Sequence, residues 1–175
     1  TMFANQNMLD AVGEGVPTTF DELLSTGKKL KSGDVAGVAM RSKADGTAGS
    51  WPGGGFVFSN GGVIIQDGKC MLDSPEAIEA IHYYGTILKE AGPLGVGNYH
   101  WYECLNDYMQ EVCGIGMDSS NFATDIENPE KHAESGKKFL DSKENTFKFA
   151  AITATLNDLM IKSKAPNIID FLSLD

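Results

Sequence analysis

Apolar positions along the chain change their spacing several times, and each change predicts an element. In residues 17–31, PTTFDELLSTGKKLK, the side chains of Phe20, Leu23, Leu24 and Leu30 share one helical face. Thr18 or Thr19 is placed to cap this helix, with Asp21 or Glu22 closing a capping box. Lys28, Lys29 and Lys31 fall in its last turn, where cations favour the negative end of the dipole. Residues 35–40, VAGVAM, form a short apolar run ended by Arg41, which after a helix predicts a buried parallel strand. The stretch SKADGTAGSWPGGGF has no period and reads as a long irregular loop carrying Trp51. FVFSNGGVII, residues 56–65, fits helix or strand, with Asn60-Gly61-Gly62 as a breaker.

Further on, Ser74-Pro75-Glu76 is a cap, first-turn proline and acidic residue in helix-opening order. Ala77, Ile78, Ile81, Tyr84 and Leu88 form the expected core face, and Gly92-Pro93 ends the helix. A second helix is expected over 101–111, with Trp101, Leu105, Tyr108 and Val112 in one stripe. VCGIGM, residues 112–117, reads as another buried strand, and Asp118-Ser119-Ser120-Asn121 opens a helix reaching Ile126. Asn128-Pro129-Glu130 opens a helix to about Leu140, FKFAAI (147–152) is a third strand candidate, and the tail is weakly amphipathic and broken by Pro166. Helices alternating with short apolar strands predict the α/β class.

Composition narrows the function. The 175 residues, 42% hydrophobic and 22% charged, suffice for a sizeable core. Fourteen basic against 24 acidic residues give a net charge of −10, which disfavours nucleic acid and anionic membrane surfaces as partners. Three cysteines, Cys70, Cys104 and Cys113, allow at most one disulfide and form no zinc-type spacing with His82, His100 or His132; three partly buried thiols are the simplest expectation. The first 15 residues have no basic or apolar region of the kind found in signal peptides, and the abrupt start suits a fragment or a processed product. No GxSxG, HExxH or phosphate-loop pattern occurs, and acidic pairs such as Asp118 and Asp125 are expected by chance among 24 acids.

Seven motifs then fall in a familiar order: VPTTFDELL, GVAMR, a Gly-rich loop with Trp51, SNGG, LDSPEAIEAIHYYGTILKEAGP, NYHWYECLNDY and MDSSNFA. This order resembles extracellular solute-binding proteins of carbohydrate ABC transporters, above all those that bind sugars and sugar alcohols. The match runs from about Val16 to Ile126 and more weakly to Ile152. The resemblance implies one lobe, the second, of a type II periplasmic-binding-protein fold: an α/β lobe with helices around a short, mostly parallel sheet. Residues 1–153 would be this lobe and 154–175 a divergent tail, unlike the family's return to its first lobe. The location implied is periplasmic or extracellular, and the partners a carbohydrate or polyol and the transporter's membrane subunits, with no cofactor and no metal. A homo-oligomer through the face left by the missing lobe is a further expectation.

Sugar recognition combines aromatic faces for C–H surfaces with charged or planar groups for hydroxyls, on loops at the carboxyl ends of parallel strands. That chemistry and the resemblance select Arg41, Trp51, Tyr99, Asp118, Ser119 and Asn121 as candidate ligand-binding residues. Each has a plainer alternative. Arg41 can be a surface arginine paired with Asp45, Trp51 can cap the lobe, and Asp118 to Asn121 can be helix caps. Trp101 fits the core stripe better than a ligand site, which leaves Tyr99 as the better contact. The resemblance also implies an aromatic residue in the strand leading to Asp118, where this chain has Gly116. Two competing functions are a free-standing lobe reused as an interaction module and a carbohydrate-acting enzyme.

Overall fold

The computed structural model of the chain describes residues 1–126; the helix expected from Pro129, the strand at 147–152 and the tail lie outside the described residues. Strands β1 (Met2–Ala4), β2 (Ala36–Met40) and β5 (Cys113–Met117) form the central sheet in the order β1-β5-β2. The two strands expected from their apolar runs, β2 and β5, are parallel neighbours, with Val38 beside Ile115 and Met40 beside Met117. The short β1 adds antiparallel to β5, so the sheet is mixed. Between them in sequence lie α1 (Gln6–Ala11), α2 (Phe20–Leu30), α3 (Gly54–Ser59), the hairpin strands β3 (Ile65–Gln66) and β4 (Lys69–Cys70), α4 (Pro75–Ala91) and α5 (Trp101–Met109), and α6 (Ala123–Ile126) follows β5.

Helices cover the sheet unequally. Leu23 and Leu30 of α2, Phe56 and Val57 of α3, and Ala77, Ala80, Ile87 and Ala91 of α4 pack with Val38, Met40 and Ile115 in the larger core. A smaller cluster joins Ala36, Ala39 and Cys113 of the sheet to Cys104 of α5, and another joins Phe3, Leu105, Tyr108 and Ile126. The α2 cap forms as expected: Thr19 accepts from the Glu22 amide, while Glu22 accepts from the Thr18 amide at 2.7 Å. The contact of α2 with β2 is so close that a Cβ on Gly37 would lie 1.8 Å from the Gly27 carbonyl oxygen.

Four expectations are corrected. The expected α4 face is rotated: Ile78 and Ile81 are 57% and 47% exposed, while Ala80, Ile87 and Ala91 are fully buried. The small alanines allow neighbouring helices to approach, and Ile78 and Ile81 are left on the outer flank. The loop expected to be irregular is helical from residue 47, with a π-type turn at Gly49–Gly53 running into α3. Pro52 lies inside this helical stretch, within the π-type turn, where the regular ladder that a proline interrupts already gives way. Trp101 leaves the core stripe and is 40% exposed, because it opens α5 beyond the edge of the sheet. Cys70 is exposed on the hairpin, whereas Cys104 and Cys113 are buried as free thiols.

Candidate functional site

The two parallel strands end side by side, and the residue that follows each carries the charge. Arg41 follows Met40 at the end of β2, and Asp118 follows Met117 at the end of β5. Their register makes them neighbours, and the side chains meet in a two-pronged pair: Nε donates to one Asp118 oxygen at 2.7 Å and Nη2 to the other at 2.6 Å. The side chains are only 10% and 5% exposed, so Asp45 is not the partner of Arg41. These bonds raise the Arg41 pKa against the opposing effect of burial, and the guanidinium stays charged. Tyr84 of α4 donates its hydroxyl to the Arg41 carbonyl, which ties the end of β2 to the larger core. Burial pushes the Tyr84 hydroxyl far up, so it remains a donor.

Around this pair the remaining candidates separate by role. Trp51 lies over the Arg41 guanidinium at 5.3 Å and is 57% exposed, so one side of the indole serves a cation–π contact while much of the ring faces solvent. Asp118 also accepts from the Ser119 amide at 2.7 Å, so its carboxylate is engaged by Arg41 and its own turn. Ser119 stands at the N-cap position of a 3₁₀ turn at Ser120–Phe122, yet its hydroxyl makes no capping bond. Asn121 is exposed, and its carbonyl accepts from the Thr124 hydroxyl at 3.0 Å. Tyr99 donates its hydroxyl to Asp107 at 2.7 Å, and its carbonyl accepts from the Ser42 and Lys43 amides at 2.9 Å. Burial, then the Asp107 bond, push the Tyr99 hydroxyl up. Tyr99 therefore ties the loop after β2 to the start of α5, while Arg41, Trp51, Asp118, Ser119 and Asn121 gather at one edge.

That edge contains more aromatic surface than the sequence reading assigned. Trp101 stacks on Phe122 with ring centroids 5.7 Å apart and meets Tyr102 edge to face. His100, just before Trp101, stands 3.5 Å from Asp45 and spans the same two loops as Tyr99. The NYHWYE run carried the signal, but helical spacing assigned its tryptophan to the core. Gly116 packs on the Tyr108 ring, where a Cβ would come within 3.2 Å, so position 116 faces α5 rather than the edge. The crevice between α5 and β5, lined by Tyr108, Gly116 and Phe122, has room for no more than about one water. Among the described residues no group of three or more His, Cys, Asp or Glu side chains is placed to hold a metal, and no helix is long and apolar enough to cross a membrane.

Solved structures share this fold. An ABC-transporter solute-binding protein from Agrobacterium vitis S4 with bound D-mannitol aligns at a TM-score of 0.63 and 22% identity, over 75% of this chain and 32% of its own. One from Agrobacterium radiobacter K84 in complex with ribitol aligns at 0.63 and 24% identity, over 75% of this chain and 33% of its own. One from Thermotoga lettingae TMO bound with α-D-tagatose aligns at 0.59 and 22%, over 65% and 31%. This chain thus spans about a third of the length of each. No curated protein matches it. The family of bacterial extracellular solute-binding proteins matches residues 1–171, nearly the whole chain, and the chain belongs to that family.

Proposed function

We propose that the chain is the second lobe of a sugar- or sugar-alcohol-binding component of an ABC importer. It takes up its ligand without catalysis and works outside the cytoplasmic membrane beside the transporter's membrane subunits. Residues 1–153 are the lobe in this reading and 154–175 a divergent tail. The observation that carries it is the Arg41–Asp118 pair under Trp51 at the carboxyl ends of adjacent parallel strands. The open side of Trp51 is an apolar face for the C–H surface of a sugar. The guanidinium beneath it keeps Nη1 outside its bonds to Asp118, and the Ser119 hydroxyl and Asn121 amide supply further hydrogen-bonding groups. Asp118 acts by aiming Arg41, and Tyr99 by holding the loop.

A two-lobed protein gains affinity by closing over its ligand, so a single lobe binds weakly. Calorimetric titration of the chain with D-mannitol, ribitol and D-tagatose is expected to give weak, saturable binding of at least one. Trp51→Ala is expected to lower that affinity about tenfold, or ~1.4 kcal/mol, while unfolding stability changes by less than about 0.5 kcal/mol. No binding of any of the three overturns the reading, and a large loss of stability makes Trp51 a lobe cap instead. The exposed Ile78 and Ile81 of α4 support a second reading, a lobe reused as an interaction module. Self-association in light scattering, without sugar binding, is the result that favours it.

A further inference from the structure

Helix α4 is apolar over more of its circumference than its own core uses. Ala77, Ala80, Ile87 and Ala91 form an inner seam, fully buried in the larger core. One position further round, Ile78, Ile81, Gly85 and Leu88 repeat the three-and-four spacing as an outer seam. Ile78, Ile81 and Gly85 are exposed, and Leu88 is half-buried. A lone exposed isoleucine needs no explanation, but two on one regular seam make a patch. Gly85 is the least expected member. Glycine inside a helix weakens it relative to alanine. Nothing in the fold requires it here, since a Cβ at this position would meet no atom within 4 Å. The missing side chain instead leaves room on the outside, in the middle of the seam, where a second helix can come close.

The charges beside the seam indicate what covers it. Glu76 and Glu79 lie toward its N-terminal end and Lys89 at its C-terminal end. Glu79 accepts from the Asn60 amide at 3.0 Å, a neutral donor that leaves its charge uncompensated. Glu90 is taken by Lys28 at 2.6 Å, whereas Lys89 forms no ion pair among the described residues. A two-fold axis near Gly85 sets a second α4 antiparallel to the first. Glu79 of each copy then faces Lys89 of the other, and each pair of isoleucines meets the far half of the opposite seam. The pattern is its own complement, as an isologous contact requires. We infer that the outer seam of α4 is a self-association surface, and that its occupant is the antiparallel α4 of a second copy. This surface is the outer flank of the helix, whereas the candidate sugar site lies at the strand ends, so the inference holds with or without sugar binding. A net charge of −10 on each chain opposes association at long range, so the dimer is weak and depends on concentration.

Sedimentation equilibrium of the full chain, without sugar, is expected to show a mass that rises with concentration from one chain toward two. Ile81→Glu enters a two-fold contact twice and should weaken association about tenfold or more. Glu79→Lys and Lys89→Glu should each weaken it, because like charges then meet across the axis, and the two combined in one chain should restore it. Gly85→Gln should leave the melting temperature of dilute protein no lower, since it improves the helix, yet weaken the dimer by filling the point of closest approach. A chain that stays monomeric at every concentration overturns the inference, whether residues 127–175 or another protein cover the seam. A dimer that survives Ile81→Glu or Gly85→Gln lies on another face and overturns it as well. Failure of the combined charge reversal to restore association overturns the antiparallel pairing. If Ile81→Glu fails to fold, Gly85→Gln and the charge reversals still decide the outcome.

Discussion

At the middle of β2, Gly37 faces Gly27 of α2 with no room for a side chain, and Gly27 in turn sits under Val38 and Ala91. Four residues further along the same strand direction, Arg41 reaches Asp118 through two hydrogen bonds, under an indole that is more than half exposed. The first region is apolar and so close-packed that backbone meets backbone. The second holds charge, hydroxyls and aromatic faces at the rim. Both are needed: close packing of α2 and α4 on β2 fixes where the strand ends, and Tyr84 of α4 bonds the Arg41 carbonyl at that point. The candidate edge is thus aimed by the core rather than by its own loops.

Gly37→Val attacks the first region and should have the largest effect. The new Cβ collides with backbone that cannot turn aside, and a loss of about 3 kcal/mol or more is expected, which leaves little folded protein in urea titrations. A variant of near-normal stability would mean that α2 can lift from β2 cheaply. Arg41→Ala attacks the second region. It leaves the buried Asp118 carboxylate without its cation, with an expected loss of about 3–5 kcal/mol. The double variant Arg41→Met with Asp118→Leu removes both charges and should return to within about 1 kcal/mol of the parent, yet bind no sugar. If it stays as unstable as Arg41→Ala, the pair is structural in a way that charge burial does not explain.

The smallest effect concerns the thiols along the same gradient from interior to rim. Burial pushes the Cys113 thiol up to about 12, and burial also pushes Cys104 far up. At pH 8 iodoacetamide should therefore label Cys70 alone, as mass spectrometry would report; labelling of Cys104 would show that α5 opens readily. The linkage has a definite sign. The folded state retains the Cys113 proton that an unfolded chain releases near pH 8.5, so stability should fall as pH rises from there toward about 12.

How much of this was legible depended on whether the signal was local. The Thr19 and Ser74 caps, the first-turn Pro75 and the apolar runs of β2 and β5 are local, and each element formed where its residues indicated. Helical spacing named α4 but chose the wrong face, because the pattern weighted Ile78 and Ile81 by size while the neighbouring helices required alanine. The hairpin at Asp67-Gly68, where both residues have positive φ, had the dipeptide signal of a tight turn but only two paired residues on each side. Strand β1 had no signal of its own, since three residues acquire strand geometry only from a partner. In the site, residue chemistry selected Arg41, Trp51 and Asp118 separately but not the contacts among them.

What the sequence determined by itself was the class, the elements marked by local caps or apolar runs, and the residue types at the candidate site, because caps, periods and motif order act over a few residues. The tertiary structure alone decided that Arg41 and Asp118, 77 positions apart, are partners, that the Tyr99 hydroxyl is engaged by Asp107, and that Trp101 faces outward. The reason is the parallel register of β2 and β5: a pairing between distant segments sets which side chains share an edge, and no spacing along one segment encodes it.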